Sequence, residues 1–270
     1  MSELKLPPPK KREALHRSHK QGDQRGLTAH GSKRKNILGA SASASGKGEK
    51  ATGDGPPLEE YYQALFSAFG PQRWWPGETQ FEVIVGAILT QNTSWTNVER
   101  AIANLRAARL LTPAAITRAP LNTLEELIRS SGYFRQKARK LKAFCEFLRV
   151  EFRGSLKRMF ETPTVTLREK LLGVFGIGPE TADSILLYAG QHSVFVVDAY
   201  TKRMLARHGW VHEQAAYEEV RSMVERRFPG ETARFNEFHA LIVNAGKQFC
   251  RPREPLCGNC PLGPHLAEGR

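Results

Sequence analysis

No run of 18 or more apolar residues occurs in the 270-residue chain, so no stretch is long enough to cross a bilayer as a helix. The opening MSELKLPPPKKREALHRSHK lacks the apolar core of a secretory signal. The chain is therefore expected to be intracellular, in cytoplasm or nucleoid, or in the nucleus of a eukaryote, with no membrane partner. Cysteine is scarce: Cys145 stands alone on a helical pattern, and Cys250, Cys257 and Cys260 fall within the last 21 residues. That distribution excludes a secreted disulfide framework and suits metal or cluster ligation. Extended-strand patterning is almost missing, since only HSVFVVD is a β-branched apolar run. There is no tandem repeat.

What the chain has in excess is positive charge. Lys and Arg number 40 against 27 Asp and Glu, a formal charge of +13, which draws polyanions by counterion release and puts nucleic acid first among candidate partners. Residues 1–56 are almost devoid of aromatics, contain the low-complexity GASASASGKGEK, and hold 12 basic against 5 acidic residues. They cannot bury enough apolar surface to offset chain entropy and read as a disordered basic tail. Two uses stay open for it, non-specific DNA affinity and simple solubility. Its PPPKKR also resembles a nuclear-import patch.

From Leu58 onward a 3.6-residue apolar period dominates, as in QFEVIVGAILTQ, RQKARKLKAFCEFLRVEF, PETADSILLYAG and ARFNEFHALIVNAGKQFC. Short separators carry Gly, Pro, Ser or Thr. The predicted class is all-α, built from many short helices.

The stretch LLGVFGIGPETADSILL sets Gly176 and Gly178 before Pro179 and Glu180 at the predicted mouth of a helix. Both glycines can take positive φ, and Pro179 suits a first helical turn, where its missing N–H costs nothing. Such a turn either packs two helices tightly or offers free N–H groups to a phosphate. About twenty residues on, Asp198 follows the apolar SVFVV and precedes AYTKRML. It is predicted as a helix N-cap, or as a carboxylate beside that turn.

These two segments, with FEVIVGAILTQNTSWTNV, LIRSSGYFRQKARKL and the terminal CRPREPLCGNC, resemble the endonuclease III superfamily of DNA glycosylases, in family order across residues 58–260. The resemblance implies an all-α, two-lobed helix-hairpin-helix fold with a C-terminal cysteine loop. It places a glycosylase domain at 57–270, with one helical lobe about 81–190 and a second from 57–80 plus 191–270. It also implies a monomer acting on double-stranded DNA with a damaged base. Asp198 becomes the catalytic aspartate, supporting an oxocarbenium-like sugar, activating water, or both. Gly176, Gly178, Glu180 and Thr181 face DNA, and Gln91 fills the gap left by the extruded nucleotide. Arg135, Lys137 and Arg139 read as a solvated basic face. Bifunctional members carry a lysine where this chain has Glu180. A carboxylate forms no imine, so hydrolytic base release without efficient strand cleavage is expected, with Lys170 and Lys202 as nearby substitute amines.

Trp74, Trp75, Pro76 and Trp95 match the pocket of the 3-methyladenine glycosylase branch, where electron-rich rings bind a positively charged alkylated base by stacking and cation–π attraction. Packing is the alternative use of each tryptophan. Excision of adenine, thymine or uracil from mispairs, bifunctional lyase action and non-enzymatic DNA binding stay open beside release of an alkylated purine. Cys250, Cys257 and Cys260 match three of the family's four [4Fe-4S] ligands; Leu266 stands at the fourth position and His265 beside it. A cluster, zinc with His265, and no metal are the three readings, each structural rather than catalytic.

Overall fold

The computed structural model describes residues 55–72 and 77–266, so most of the predicted tail, with Trp74, Trp75 and Pro76, lies outside the described residues. Twelve α-helices and no strand are present among the described residues. None of these helices is long and apolar enough to cross a membrane.

Two helices are central because their sequences leave little room for a polar face. In α2 (Gln80–Leu89) every residue from Phe81 to Leu89 is buried, and Thr79 caps the start by accepting the Glu82 N–H. Glu82 is the one charge in that run, and Arg106 neutralises it with two hydrogen bonds of 2.7 and 2.8 Å. In α12 (Thr232–Gln248) the buried residues run from Phe235 to Gly246. Helices α1 (Leu58–Phe69) and α10 (Ala199–Arg207) pack on α12. Helices α4 (Pro113–Arg118), α5 (Leu121–Leu127) and α7 (Leu156–Phe160) gather, with α2, round the 19-residue α6 (Phe134–Phe152). The remaining helices are α3 (Trp95–Ala107), α8 (Thr164–Leu172), α9 (Pro179–Ser184) and α11 (Tyr217–Arg227).

The stretch PETADSILLYAG, expected as one helix, begins as α9 and then widens into a π-helical turn, Ile185–Ala189. This turn touches both α2 and α12, and so lies where the two groups of helices meet. Isolated π turns inside helices are rare and concentrate at functional sites.

The run HSVFVVD is not part of a sheet. Val194 to Val197 are buried, and side chains of α11 accept N–H groups that a neighbouring strand would otherwise take. The Phe195 N–H donates to Glu225 Oε1 at 2.9 Å, and the Val197 N–H to the Tyr217 hydroxyl at 3.3 Å. A buried backbone donor without a partner would cost about 1–3 kcal/mol. These two contacts remove that cost at alternate residues and fix the segment that ends in Asp198.

Candidate active site

Asp198 is 1% exposed and takes both roles that its sequence position left open. Its Oδ1 caps α10, accepting the Thr201 N–H at 2.8 Å and the Thr201 hydroxyl at 3.0 Å. Its Oδ2 lies 3.6 Å from Nε2 of His239 on α12. Burial raises the Asp198 pKa, but His239 and the two Thr201 donors outweigh it, so the carboxyl is held below its ordinary value and stays ionised at neutral pH.

Glu180, in the first turn of α9, behaves in the opposite way. Burial, and then the nearby Asp198 carboxylate, push it up to about 8, with Lys202 offsetting part of the rise. Its Oε1 is buried and accepts no hydrogen bond from the described residues. Two neighbouring carboxyls thus hold opposite protonation states at neutral pH. A split of this kind separates a negative group that can face a developing cation from a neutral proton donor.

Three of the residues expected to face DNA are joined directly. Gln91, just beyond α2, donates through Nε2 to the Gly176 carbonyl at 3.2 Å and to the Thr181 hydroxyl at 2.9 Å. Its Oε1 accepts from the Lys140 ammonium. Gly176 has φ of 79°, the left-handed region that favours glycine, and a Cβ there would strike the Lys140 side chain. Gly178 departs from expectation, with φ of −93° and ψ of 178°, an extended conformation open to any residue. A Cβ on Gly178 would meet nothing within 4 Å, so nothing in this chain requires glycine there. The open side of this turn leaves room for another backbone to approach.

Lys137 overturns its reading as part of a solvated basic face. Its ammonium is buried, donating to the Leu89 carbonyl at 2.8 Å and the Ser131 carbonyl at 2.6 Å, and burial lowers its pKa to about 8. It joins α6 to the end of α2. Arg135 and Arg139 are exposed as expected. The other amines differ as well. Lys170 pairs with Glu151 at 2.5 Å, and Lys202 donates to the Ala215 carbonyl at 2.9 Å. The amine that interacts with Asp198 is that of Lys247 on α12, whose pKa burial lowers to about 8 against the pull of the carboxylate.

Four contributors escaped the sequence reading. His239 was visible as a lone polar residue in the apolar run of α12, and Lys247 as the cation at its end. Lys140 and Tyr133 lay in the basic segment, without a mark to separate them from their neighbours. Tyr133 is 67% exposed, with φ of 45°. With Gln91, Asn92, Gln136, Lys137 and Lys140 it lines a polar cavity of about 190 Å³. Trp95 is buried in the first turn of α3.

A buried ion-pair network supports both elements that carry the carboxyls. Asp183 of α9 accepts from Arg168 Nε at 2.6 Å and Nη2 at 3.1 Å, and from the Tyr217 hydroxyl at 2.8 Å. Arg168 also reaches Glu218 at 2.6 Å. Since Tyr217 accepts the Val197 N–H as well, α9 and the approach to Asp198 share one anchor.

At the C-terminal loop, Cys250, Cys257 and Cys260 line one small cavity with Arg207, His208 and Leu266. Arg207 Nη1 donates to the Cys250 sulfur at 3.0 Å, and the backbone of Leu262 and Gly263 is hydrogen-bonded to Cys260. These donors oppose the burial that raises the Cys260 pKa, but no group of three or more His, Cys, Asp or Glu among the described residues is arranged to hold a metal ion. Leu266 offers no donor at the fourth position. His265 turns away, its Nδ1 3.6 Å from Glu60 and its ring against Tyr61.

An all-α fold with a glycine turn leading to a buried helix-capping aspartate is the architecture of the helix-hairpin-helix DNA glycosylases. Residues 85–229 match the HhH-GPD superfamily base excision DNA repair protein family, and the chain belongs to that family. It is 49% identical over 207 residues to a protein assigned as a DNA repair glycosylase in Methanocaldococcus jannaschii, covering 76% of this chain and 93% of that one. Endonuclease III of Sulfolobus acidocaldarius is 29% identical over 183 residues, 67% of this chain and 79% of its own. Among solved structures, the H. pylori 3-methyladenine DNA glycosylase bound to 1,N6-ethenoadenine superposes with a TM-score of 0.62 at 29% identity, over 71% of this chain and 97% of that one. A non-covalent endonuclease III–DNA complex gives 0.66 at 23% identity, over 78% and 94%. The chain is a base excision DNA repair protein of the glycosylase class.

Proposed function

We propose that the chain is a monofunctional glycosylase that releases an alkylated purine from duplex DNA by hydrolysis. The carboxyl pair carries this reading. Asp198 is ionised and buried, while Glu180 occupies the start of α9 where strand-cutting relatives place an amine. With a nucleotide rotated out of the stack, the Asp198 carboxylate faces the sugar as positive charge develops on it. The N-glycosidic bond breaks and its electron pair leaves with the base, which needs no added proton when alkylation already makes it cationic. Water adds to C1′ and gives up a proton, leaving an abasic site. The likeness to the H. pylori enzyme and the Trp74–Trp75–Pro76 segment with Trp95 support an aromatic pocket for a cationic base. The DNA-bound relatives of the fold support duplex DNA as the partner. In this reading Gln91, hydrogen-bonded to Gly176 and Thr181, would fill the vacated stack.

The cysteine loop is structural in this reading. Cys250, Cys257 and Cys260 would hold an iron–sulfur cluster or another metal, which when bound would crosslink the loop. No proton or electron of the reaction passes through it.

A second reading has one observation in its favour, the Lys247 amine beside Asp198. An amine whose pKa is lowered to about 8 is a competent nucleophile and would give lyase activity. One experiment separates the two. Duplexes with single defined lesions are incubated with the protein, and freed base and broken strand are scored separately, with and without borohydride. Base release without strand breaks or trapped adduct supports hydrolysis; a borohydride-trapped adduct lost in Lys247→Ala establishes the lyase. If Asp198→Asn releases base as fast as the wild type, both fail.

A further inference from the structure

We propose that Tyr188 and His239 form a buried positioning relay for Asp198, in which the π turn fixes Tyr188, Tyr188 fixes the imidazole, and the imidazole directs one carboxylate oxygen. This inference rests on the role of Asp198 given above. It assigns to two buried residues a task that neither DNA contact nor packing requires.

Two buried polar atoms between α10 and α12 lack hydrogen-bond partners. Oδ2 of Asp198 and Nε2 of His239 are each buried without a hydrogen bond, yet they face each other at 3.6 Å. Both side chains are 0% exposed. Two such atoms would be costly if unrelated, but a donor and an acceptor pointed at each other are a contact held slightly long. Catalytic contacts are often long in the free enzyme and tighten in the complex.

Facing a carboxylate oxygen, Nε2 must carry the ring proton. A neutral ring with its proton there leaves Nδ1 as an acceptor. The Tyr188 hydroxyl is 2.6 Å from Nδ1, and with the ring proton on Nε2 it donates to Nδ1 and holds that tautomer. The remaining carboxylate oxygen, Oδ1, is held by Thr201. Every orientation of the Asp198 side chain other than the observed one breaks at least one of these contacts.

The π turn supplies the geometry. Tyr188 is its fourth residue, and the wider turn displaces each following side chain relative to a regular α-helix. The same turn continues α9, which carries Glu180, so the two carboxyls are tied through one helical segment.

The charged and titratable groups that interact with Asp198 are Glu180 from α9 and His239 and Lys247 from α12, while Lys202 on its own helix acts on Glu180. Glu180 opposes ionisation of Asp198, and Lys247 favours it. His239 and the two Thr201 donors together overcome burial, so weakening the hold of His239 moves the acid limb of the reaction upward in pH.

The test uses the full chain with His239→Gln and Tyr188→Phe. Single-turnover purine release from dimethyl sulfate-treated duplex is followed from about pH 3 to 8, a window that reaches below the ordinary aspartate pKa, with melting temperature and duplex affinity measured in parallel. In His239→Gln the acid limb is expected to move to a pH about 1 higher, with the plateau rate falling roughly 10- to 100-fold and affinity unchanged. Tyr188→Phe keeps the ring but frees the tautomer, and should move the limb in the same direction by less. A folded Tyr188→Phe protein with the wild-type limb and rate would overturn the proposal. If His239→Gln does not fold, Tyr188→Phe decides. If neither folds, ¹⁵N shifts of the His239 ring in the wild-type protein decide, with Nδ1 protonation refuting the relay. Asp198→Asn, run alongside, separates the two ideas: its full activity removes the glycosylase reading, whereas its inactivity with unaltered relay variants removes only the relay.

Discussion

Replacing Glu180 with glutamine should make the protein more stable, and only at higher pH. The folded-state carboxyl titrates at about 8 against an ordinary 4.5. Below 4.5 it is protonated in both states and contributes no difference. As pH rises through that window the unfolded chain releases its proton while the folded chain keeps it, so stability falls; above 8 the full loss persists. The gap corresponds to about 5 kcal/mol at 1.36 kcal/mol per pH unit. Glu180 keeps part of its surface in water, and solvent screening reduces the expected cost to roughly 2–3 kcal/mol. Glutamine has nearly the same shape and carries no charge at any pH. The variant should therefore melt close to the wild type at pH 4.5 and roughly 5–10 °C above it at pH 9. Thermal melts across that range are the assay. A difference in melting temperature that does not grow with pH would mean that Glu180 ionises freely in the folded protein.

Other perturbations have signs set by the same geometry. Asp183→Asn leaves Arg168 partly unpaired beside Tyr217 and should cost about 3–5 kcal/mol, read by urea denaturation. Gly176→Ala imposes a left-handed conformation on a residue with a side chain and pushes on Lys140, costing about 1–2 kcal/mol and weakening duplex binding in a salt titration. His208 bonds Tyr61 at 2.8 Å and, through burial, titrates at about 4 instead of 6.5. Stability from this depressed group is present above pH 6.5 and lost as pH falls toward 4, so hydrogen exchange of residues 257–265 should accelerate in that window.

The sequence reveals the parts of this molecule that depend on local pattern. Helical periodicity places α2, α6 and α12, and the spacing from the glycine turn to Asp198 marks the carboxylate. What it hides depends on contacts between distant residues. Lys137 shares its segment with Arg135 and Arg139, and what distinguishes it is its bonding to the Ser131 carbonyl and to the Leu89 carbonyl, 48 positions away. The π turn has the same apolar pattern as an ordinary helix, so PETADSILLYAG gives no sign of the change of pitch. HSVFVVD, which its β-branched residues mark as a strand candidate, forms no strand, and its partners are side chains of a helix, which no strand pattern announces. His239 is a single polar residue on an apolar face, and its meaning appears only when Asp198 is set beside it.

The pairing of residues 193–197 with α11 carries an evolutionary consequence. Phe195 and Val197 each answer to one named side chain, so their spacing is indexed as strictly as the teeth of a key. One extra residue here would turn alternate side chains to the opposite face and carry the carboxylate away from Thr201 and His239. Length variation among descendants of this gene should therefore gather in connections such as 209–216, while the few residues before Asp198 keep their number even where their identities drift.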